Sequence, residues 1–228
     1  MKKKQLIGWL SLFGIILIAL QVKPANAADT YEINRYQTQV DVQKDGSALV
    51  KQTMQFTIND DINGIYLNQD LGTNVGKAKQ LENPKITINQ HQFSPGTGQS
   101  GQYQLTKDQQ VYRFKLFQPA SDGDTLNVVL TYRLTNLITN YQDTAELNWR
   151  VIGTGWDTDL NNVTITIQLP SSLKSNQLKS WTHGDLSGHQ TVDAQDGQVK
   201  ITLANNPANQ MLESHLIFPT NVTPDNFN

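Results

Sequence analysis

Apolar and polar residues alternate one by one along most of this chain, and that period sends successive side chains to opposite faces of a β-strand. Tyr36, Thr38, Val40 and Val42 share one face, and Gln37, Gln39, Asp41 and Gln43 share the other. Lys44-Asp45-Gly46-Ser47 follows. Asp-Gly predicts a hairpin turn, because both residues tolerate positive φ. The return strand carries Val50, Met54, Phe56 and Ile58 on its inner face. Gln52 interrupts that inner row, so it requires a polar partner or a place at a sheet edge.

The same alternation recurs downstream. It runs through Ile86 and Ile88, then Tyr112, Phe114 and Leu116, then Leu126, Val128, Leu130, Tyr132 and Leu134. Leu147, Trp149 and Val151 follow, then Val163, Ile165, Ile167 and Leu169, which stop at Pro170. The end of the chain adds Thr191-Val192, then Val199, Ile201 and Leu203 after Asp196-Gly197, and finally a strand from Leu212 to Phe218 before Pro219. About ten short strands separated by Gly, Asn, Asp and Pro predict an all-β fold, an antiparallel β-sandwich of immunoglobulin-like or jelly-roll-like type. Strands apolar on one face suit antiparallel sheets with one side in water. Residues 137–145 could form a single helical turn, although Asn136, Thr139 and Asn140 are weak helix formers. Residues 59–83 and 93–102 read as long loops. The first is too apolar at Ile65, Tyr66 and Leu67 for a solvated linker, which leaves a functional role open to it.

The N-terminus follows a different rule. Lys2, Lys3 and Lys4 precede an uncharged, mostly apolar run over residues 6–20, and Ala25-Asn26-Ala27 follows. This is the layout of a secretory signal, with cleavage between Ala27 and Ala28. As a helix the run would reach roughly 22 Å, short of the ~30 Å hydrocarbon core. The chain then divides into a signal over residues 1–27 and a single extracytoplasmic β-domain over residues 28–228. Mass spectrometry of the exported protein should find a new N-terminus at Ala28; an intact Met1 in the membrane fraction would contradict this.

Composition narrows the chemistry. The chain has no cysteine, which excludes disulfides, thiol catalysis and zinc–thiolate sites. Four of its 18 basic residues lie in the signal and all 20 acidic residues lie beyond it, so the exported part has 14 against 20, a formal charge of −6. An acidic domain without a basic cluster is a poor nucleic-acid binder. No second apolar run long enough to span a bilayer follows the signal.

One stretch carries a family resemblance. Glu146-Leu147-Asn148-Trp149-Arg150-Val151-Ile152-Gly153-Thr154-Gly155-Trp156, then the alternating strand Val163 to Leu169 closed by Pro170, resembles the bacterial predicted membrane proteins known as domain of unknown function 2207. The opening hairpin, with Asp45-Gly46-Ser47 and Val50, and the segment Asn63-Gly64-Ile65-Tyr66 agree with it in order. The resemblance covers residues 31–219. It implies an extracytoplasmic β-domain followed by transmembrane helices and a low-complexity cytoplasmic tail. Leu67 stands where the family usually has Arg after Tyr, so a charge-based role for that segment is in doubt here.

Candidate chemistry is sparse. His183, Asp185 and His189 are close in sequence, but Gly184 and Gly188 make a turn of the segment and no third strong ligand is suitably spaced, so they read as exposed loop residues rather than a metal site. His91 and His215 stand alone. Trp149 shares a strand face with Leu147 and Val151 and reads as core. Trp156, beyond Gly153 and Gly155, reads either as a core ring entering an Asx-type turn or as an exposed sugar platform beside Asp157 and Asp159. Asp143 with Glu146, or Asp157 with Asp159, are the available glycosidase pairs, but proximity in sequence does not make a cleft. No nucleophile elbow or phosphate loop is present.

The sequence therefore predicts a non-enzymatic binding or interaction domain of the bacterial envelope, secreted or held at the cell surface. Its candidate surface is Asn63, Gly64, Ile65 and Tyr66 together with Trp156, Asp157 and Asp159. The expected partner is an envelope protein or glycan, with no cofactor and no nucleic acid. Membrane association would run through the signal if uncleaved, or through a segment after Asn228. The alternatives are an envelope carbohydrate-active enzyme using Asp157 or Glu146, and a sensor ectodomain of a longer membrane protein.

Overall fold

The computed structural model describes residues 30–72 and 77–226. The signal and its cleavage site at Ala27 and Ala28 lie outside these residues. The described chain forms fifteen strands and one 3-10 turn, Thr220–Val222. Among the described residues no helix is long and apolar enough to cross a membrane.

The first hairpin forms as its alternation predicts. β1 (Tyr31–Val42) and β2 (Ala48–Ile58) pair antiparallel from Val42 opposite Ala48 to Tyr31 opposite Ile58. The turn places Gly46 at φ +75°, and the Asp45 carboxylate accepts hydrogen bonds from the Ser47 backbone and hydroxyl. β8 (Thr125–Thr135) pairs with the other side of β2, and β4 (Gln80–Ile88) pairs with β8. β11 (Leu160–Gln168) pairs with β1 in parallel, then β14 (Gln198–Asn206) and β13 (His189–Asp193) complete that side. The parallel β1–β11 pair departs from the purely antiparallel expectation. It arises because β11 follows a crossover from a second sheet rather than a hairpin.

The 59–83 and 93–102 segments contain more strand than their sequence suggested. Residues 65–70 form β3 (Ile65–Asp70), with Ile65, Leu67 and Gln69 buried and Tyr66 exposed. β5 (His91–Pro95), β6 (Gln102–Asp108) and β7 (Val111–Phe117) carry the large sheet onward, and β3 pairs with β7 at its end. β5 and β6 meet over only two parallel pairs, Ser94 with Gln102 and Pro95 with Tyr103. The eleven-stranded sheet bends here, since β3, at one end of the strand order, returns to touch β2 near its middle.

The second sheet is β12 (Lys179–His183), β15 (Leu212–Pro219), β10 (Thr144–Ile152) and β9 (Ile138–Asn140) in that order. The short strand β9 replaces the helical turn considered for residues 137–145. Pairing with β10 satisfies its backbone groups, which a lone turn of weak helix formers would leave to water. The inner faces of both sheets meet in one core containing Tyr36, Phe56, Phe114, Leu147, Trp149, Leu216 and Phe218. Each such side chain contributes roughly 1.5–3 kcal/mol by leaving water.

β3 also borders the second sheet. The Asp70 carboxylate receives the Arg150 guanidinium at 2.6 Å, and Asn68 Nδ2 donates to the Gly155 carbonyl at 2.6 Å. A Cβ on Gly153 would lie 2.5 Å from the Asp70 Cβ. The two glycines after β10 therefore let this turn lie against β3.

Candidate functional site

The residues singled out from sequence do not assemble into one surface. Ile65 is fully buried core. Gly64 packs against backbone, where a Cβ would meet the Leu116 carbonyl oxygen at 2.2 Å. Asn63 is exposed at the entrance to β3. Trp156 is corrected from a candidate platform to a core residue: it is 3% exposed and stands edge-on to Tyr36, with ring centroids 5.7 Å apart. The Gly153-Thr154-Gly155 turn carries the chain inward across the sandwich, which is why an interruption in the strand does not expose the next ring. Asp157 is exposed. Asp159 pins the 205–208 turn, accepting from Asn205 Nδ2 at 3.0 Å and the Ala208 N–H at 2.8 Å.

Tyr66 remains on the surface, 43% exposed. Arg113 and Lys115 on the adjacent strand β7 flank its ring, at 5.8 and 5.9 Å from the centroid. Arg113 Nε donates to Asn68 Oδ1 at 3.0 Å, which joins this patch to the Gly155 turn. Its cations already lie against its own ring, so the patch is self-contained.

The outer face of the four-stranded sheet holds a richer cluster. Strand alternation points Glu146, Asn148 and Arg150 outward on β10 and Glu213, His215 and Ile217 outward on β15. On β12 it does the same for Lys179, Trp181 and His183. Register then sets Asn148, His215 and Trp181 in one row across three strands. Glu146 is central. Its Oε2 accepts from the Tyr141 hydroxyl at 2.8 Å, and its Oε1 lies 2.7 Å from His215 Nε2. The latter is a close contact rather than an aligned hydrogen bond. The His215 ring lies 5.3 Å from Trp181 and 6.4 Å from His183. Hydrogen bonding to Glu146 holds the Tyr141 phenol above its ordinary pKa.

Lys79 packs beside this cluster and is 4% exposed. Burial lowers its pKa to about 8, against the pull of Glu213 and Glu146 and with a smaller push from Arg150. Thus the carboxylates of Glu146, Glu213 and Asp70 stand among the cations of Lys79 and Arg150 and the His215 ring. At the two ends stand large rings in water, Trp181 at 44% and Tyr141 at 48% exposure.

None of these rings was visible as a site in the sequence. His215 read as an isolated histidine, and Trp181 sits among polar residues with no apolar period. Their one local signal is Trp181 inside Lys179-Ser180-Trp181-Thr182-His183, a strand with no other large apolar side chain to explain it. Among the described residues no group of three or more His, Cys, Asp or Glu side chains is placed to hold a metal ion.

Comparison with known proteins places the fold. A "putative nutrient binding protein" from Legionella pneumophila matches 83% of this chain and 67% of its own, at 14% identity and a TM-score of 0.53. Leukotriene A4 hydrolase from Saccharomyces cerevisiae matches 83% of this chain and 29% of its own, at 11% identity and a TM-score of 0.50. At such identities the likeness is one of fold alone, and the chain spans only part of each neighbour. No curated protein matches the sequence. A family model matches residues 32–218, nearly the whole described domain, and the chain belongs to that family, described as the N-terminal domain of a predicted membrane protein, domain of unknown function 2207.

Proposed function

We propose that this chain is the extracytoplasmic binding module of a bacterial envelope protein and that it works without catalysis. The observation that carries this reading is the outer face of β12-β15-β10, where Trp181 and Tyr141 stand in water at either end of a cluster of interacting polar side chains. A large half-exposed ring on a rigid sheet, with a polar tip and an apolar body, suits contact with a ligand. The secretory layout of residues 1–27 supports location outside the cytoplasm. Membership of a predicted membrane-protein family supports attachment to the envelope.

The arrangement of Glu146 favours binding over turnover. One of its carboxylate oxygens accepts from Tyr141 and the other lies against the His215 ring, so it is held within the sheet surface rather than facing a second carboxylate across a cleft. The test is cosedimentation of the exported domain with purified cell envelopes, using Trp181→Ala and Tyr141→Ala as comparisons. The proposal expects retention of the parent domain and loss of retention in both variants while circular dichroism stays unchanged. Equal retention of all three would overturn it, and release of soluble sugar fragments by the parent would favour the enzyme alternative.

A further inference from the structure

We infer that the ligand of this face is an uncharged, hydroxyl-rich saccharide. The inference rests on the binding reading above and adds the chemical class of what is bound.

Charge provides the first argument. The ionisable side chains of the face pair with one another: Glu146 with His215, Arg150 with Asp70, and Lys79 beside Glu213 and Glu146. Lys179 and His183 stand only at the rim, on the edge strand β12. A polyanion or a strongly basic segment would find no opposing field here and would have to break existing pairs.

Shape and hydrogen bonding provide the second. Asn148, His215 and Trp181 form a flat row over three strands, and two strand spacings span about 10 Å. That length accommodates two pyranose rings lying along the row. The Trp181 indole, tilted 40° against the neighbouring His215 ring, offers its exposed surface to the apolar face of a sugar ring. Asn148 is exposed and its side-chain amide makes no hydrogen bond among the described residues, so both its donor and its acceptor are available to hydroxyls. The Tyr141 hydroxyl, bound to Glu146, extends the polar edge. A stacking ring and a free amide in one row, two strand spacings apart, make chemistry that recognises sugars and gains little from a purely apolar partner.

The experiment titrates the exported domain with chitotetraose, cellotetraose and maltotetraose and follows tryptophan emission at low and at high salt. The inference expects saturable binding to at least one of them, unchanged by salt, and weakened about tenfold or more in both Trp181→Ala and Asn148→Ala. Trp181→Phe should keep most of the affinity, which separates stacking from a folding defect. Absence of binding to all three, with envelope retention still dependent on Trp181, would overturn the saccharide class and leave the binding reading standing. Saturable binding that survives both Trp181→Ala and Asn148→Ala would place the sugar elsewhere on the domain and overturn it equally. Loss of Trp181-dependent envelope retention as well would remove both.

Discussion

Gln52 Nε2 donates to Gln69 Oε1 at 2.9 Å, inside the core, across the bend of the large sheet. The same amide nitrogen donates to the Tyr36 hydroxyl at 3.0 Å, and the Tyr132 hydroxyl reaches Gln69 Oε1 at 3.4 Å. This small network ties β1, β2 and β8 to β3, which stands at the far end of the strand order. Gln52→Met alone leaves the Gln69 carbonyl without its main donor and should destabilise the domain by about 2–3 kcal/mol. Adding Gln69→Met should return part of that loss, with a coupling of about 1 kcal/mol or more in a urea-unfolding double-mutant cycle. Strictly additive effects would show that the pair does not act as a unit.

Gly64 marks a place where backbone approaches backbone. A Cβ there would meet the Leu116 carbonyl oxygen at 2.2 Å, and a main-chain atom in a paired strand cannot step aside. Gly64→Ala should destabilise by about 2–4 kcal/mol. Gly155→Ala meets only the Asn68 side chain, at 3.1 Å, and should be milder. Thermal unfolding of the two variants side by side reads the difference, and equal losses would contradict it.

Lys79 gives a pH signature. Its pKa falls from 10.5 to about 8 on folding, mainly through burial. Below the lower value both states are protonated and Lys79 makes no pH-dependent contribution to stability. Between the two values the unfolded chain holds a proton that the folded chain has released, so stability rises with pH. From about pH 10 tyrosines reverse the trend. Burial keeps Tyr31, Tyr36 and Tyr132 protonated in the fold well above the pH at which they ionise in the unfolded chain. The parent domain should therefore gain about 1–2 kcal/mol over Lys79→Met between about pH 8 and 9.5. Parallel urea-unfolding profiles for the two proteins would contradict the burial of Lys79.

The fold was largely legible because its core is written in single-residue alternation. Leu126 to Leu134 and Val163 to Ile167 became strands with the inward faces that their pattern dictates. Gln52 was legible as an anomaly, but its partner was not, since Gln69 lies in a segment that read as loop and comes near only when the sheet bends. The short strand β9 was hidden for a related reason: three residues carry almost no period, and pairing with β10 decides their conformation. Trp156 was ambiguous because glycine reports a break in a strand without saying to which side the chain turns. The row of Asn148, His215 and Trp181 was out of reach, since register between three strands distant in sequence brings it together.

The most direct measurement of the central claim is the set of tryptophan indole N–H resonances of the domain over residues 28–228 during titration with solubilised envelope glycan. Trp149 and Trp156 lie in the core at 1% and 3% exposure, whereas Trp181 stands at the surface of the four-stranded sheet. The account predicts that the Trp181 resonance shifts in a saturable manner while those of Trp149 and Trp156 stay in place. A titration in which Trp181 does not move, or in which only resonances around Tyr66 respond, would contradict it.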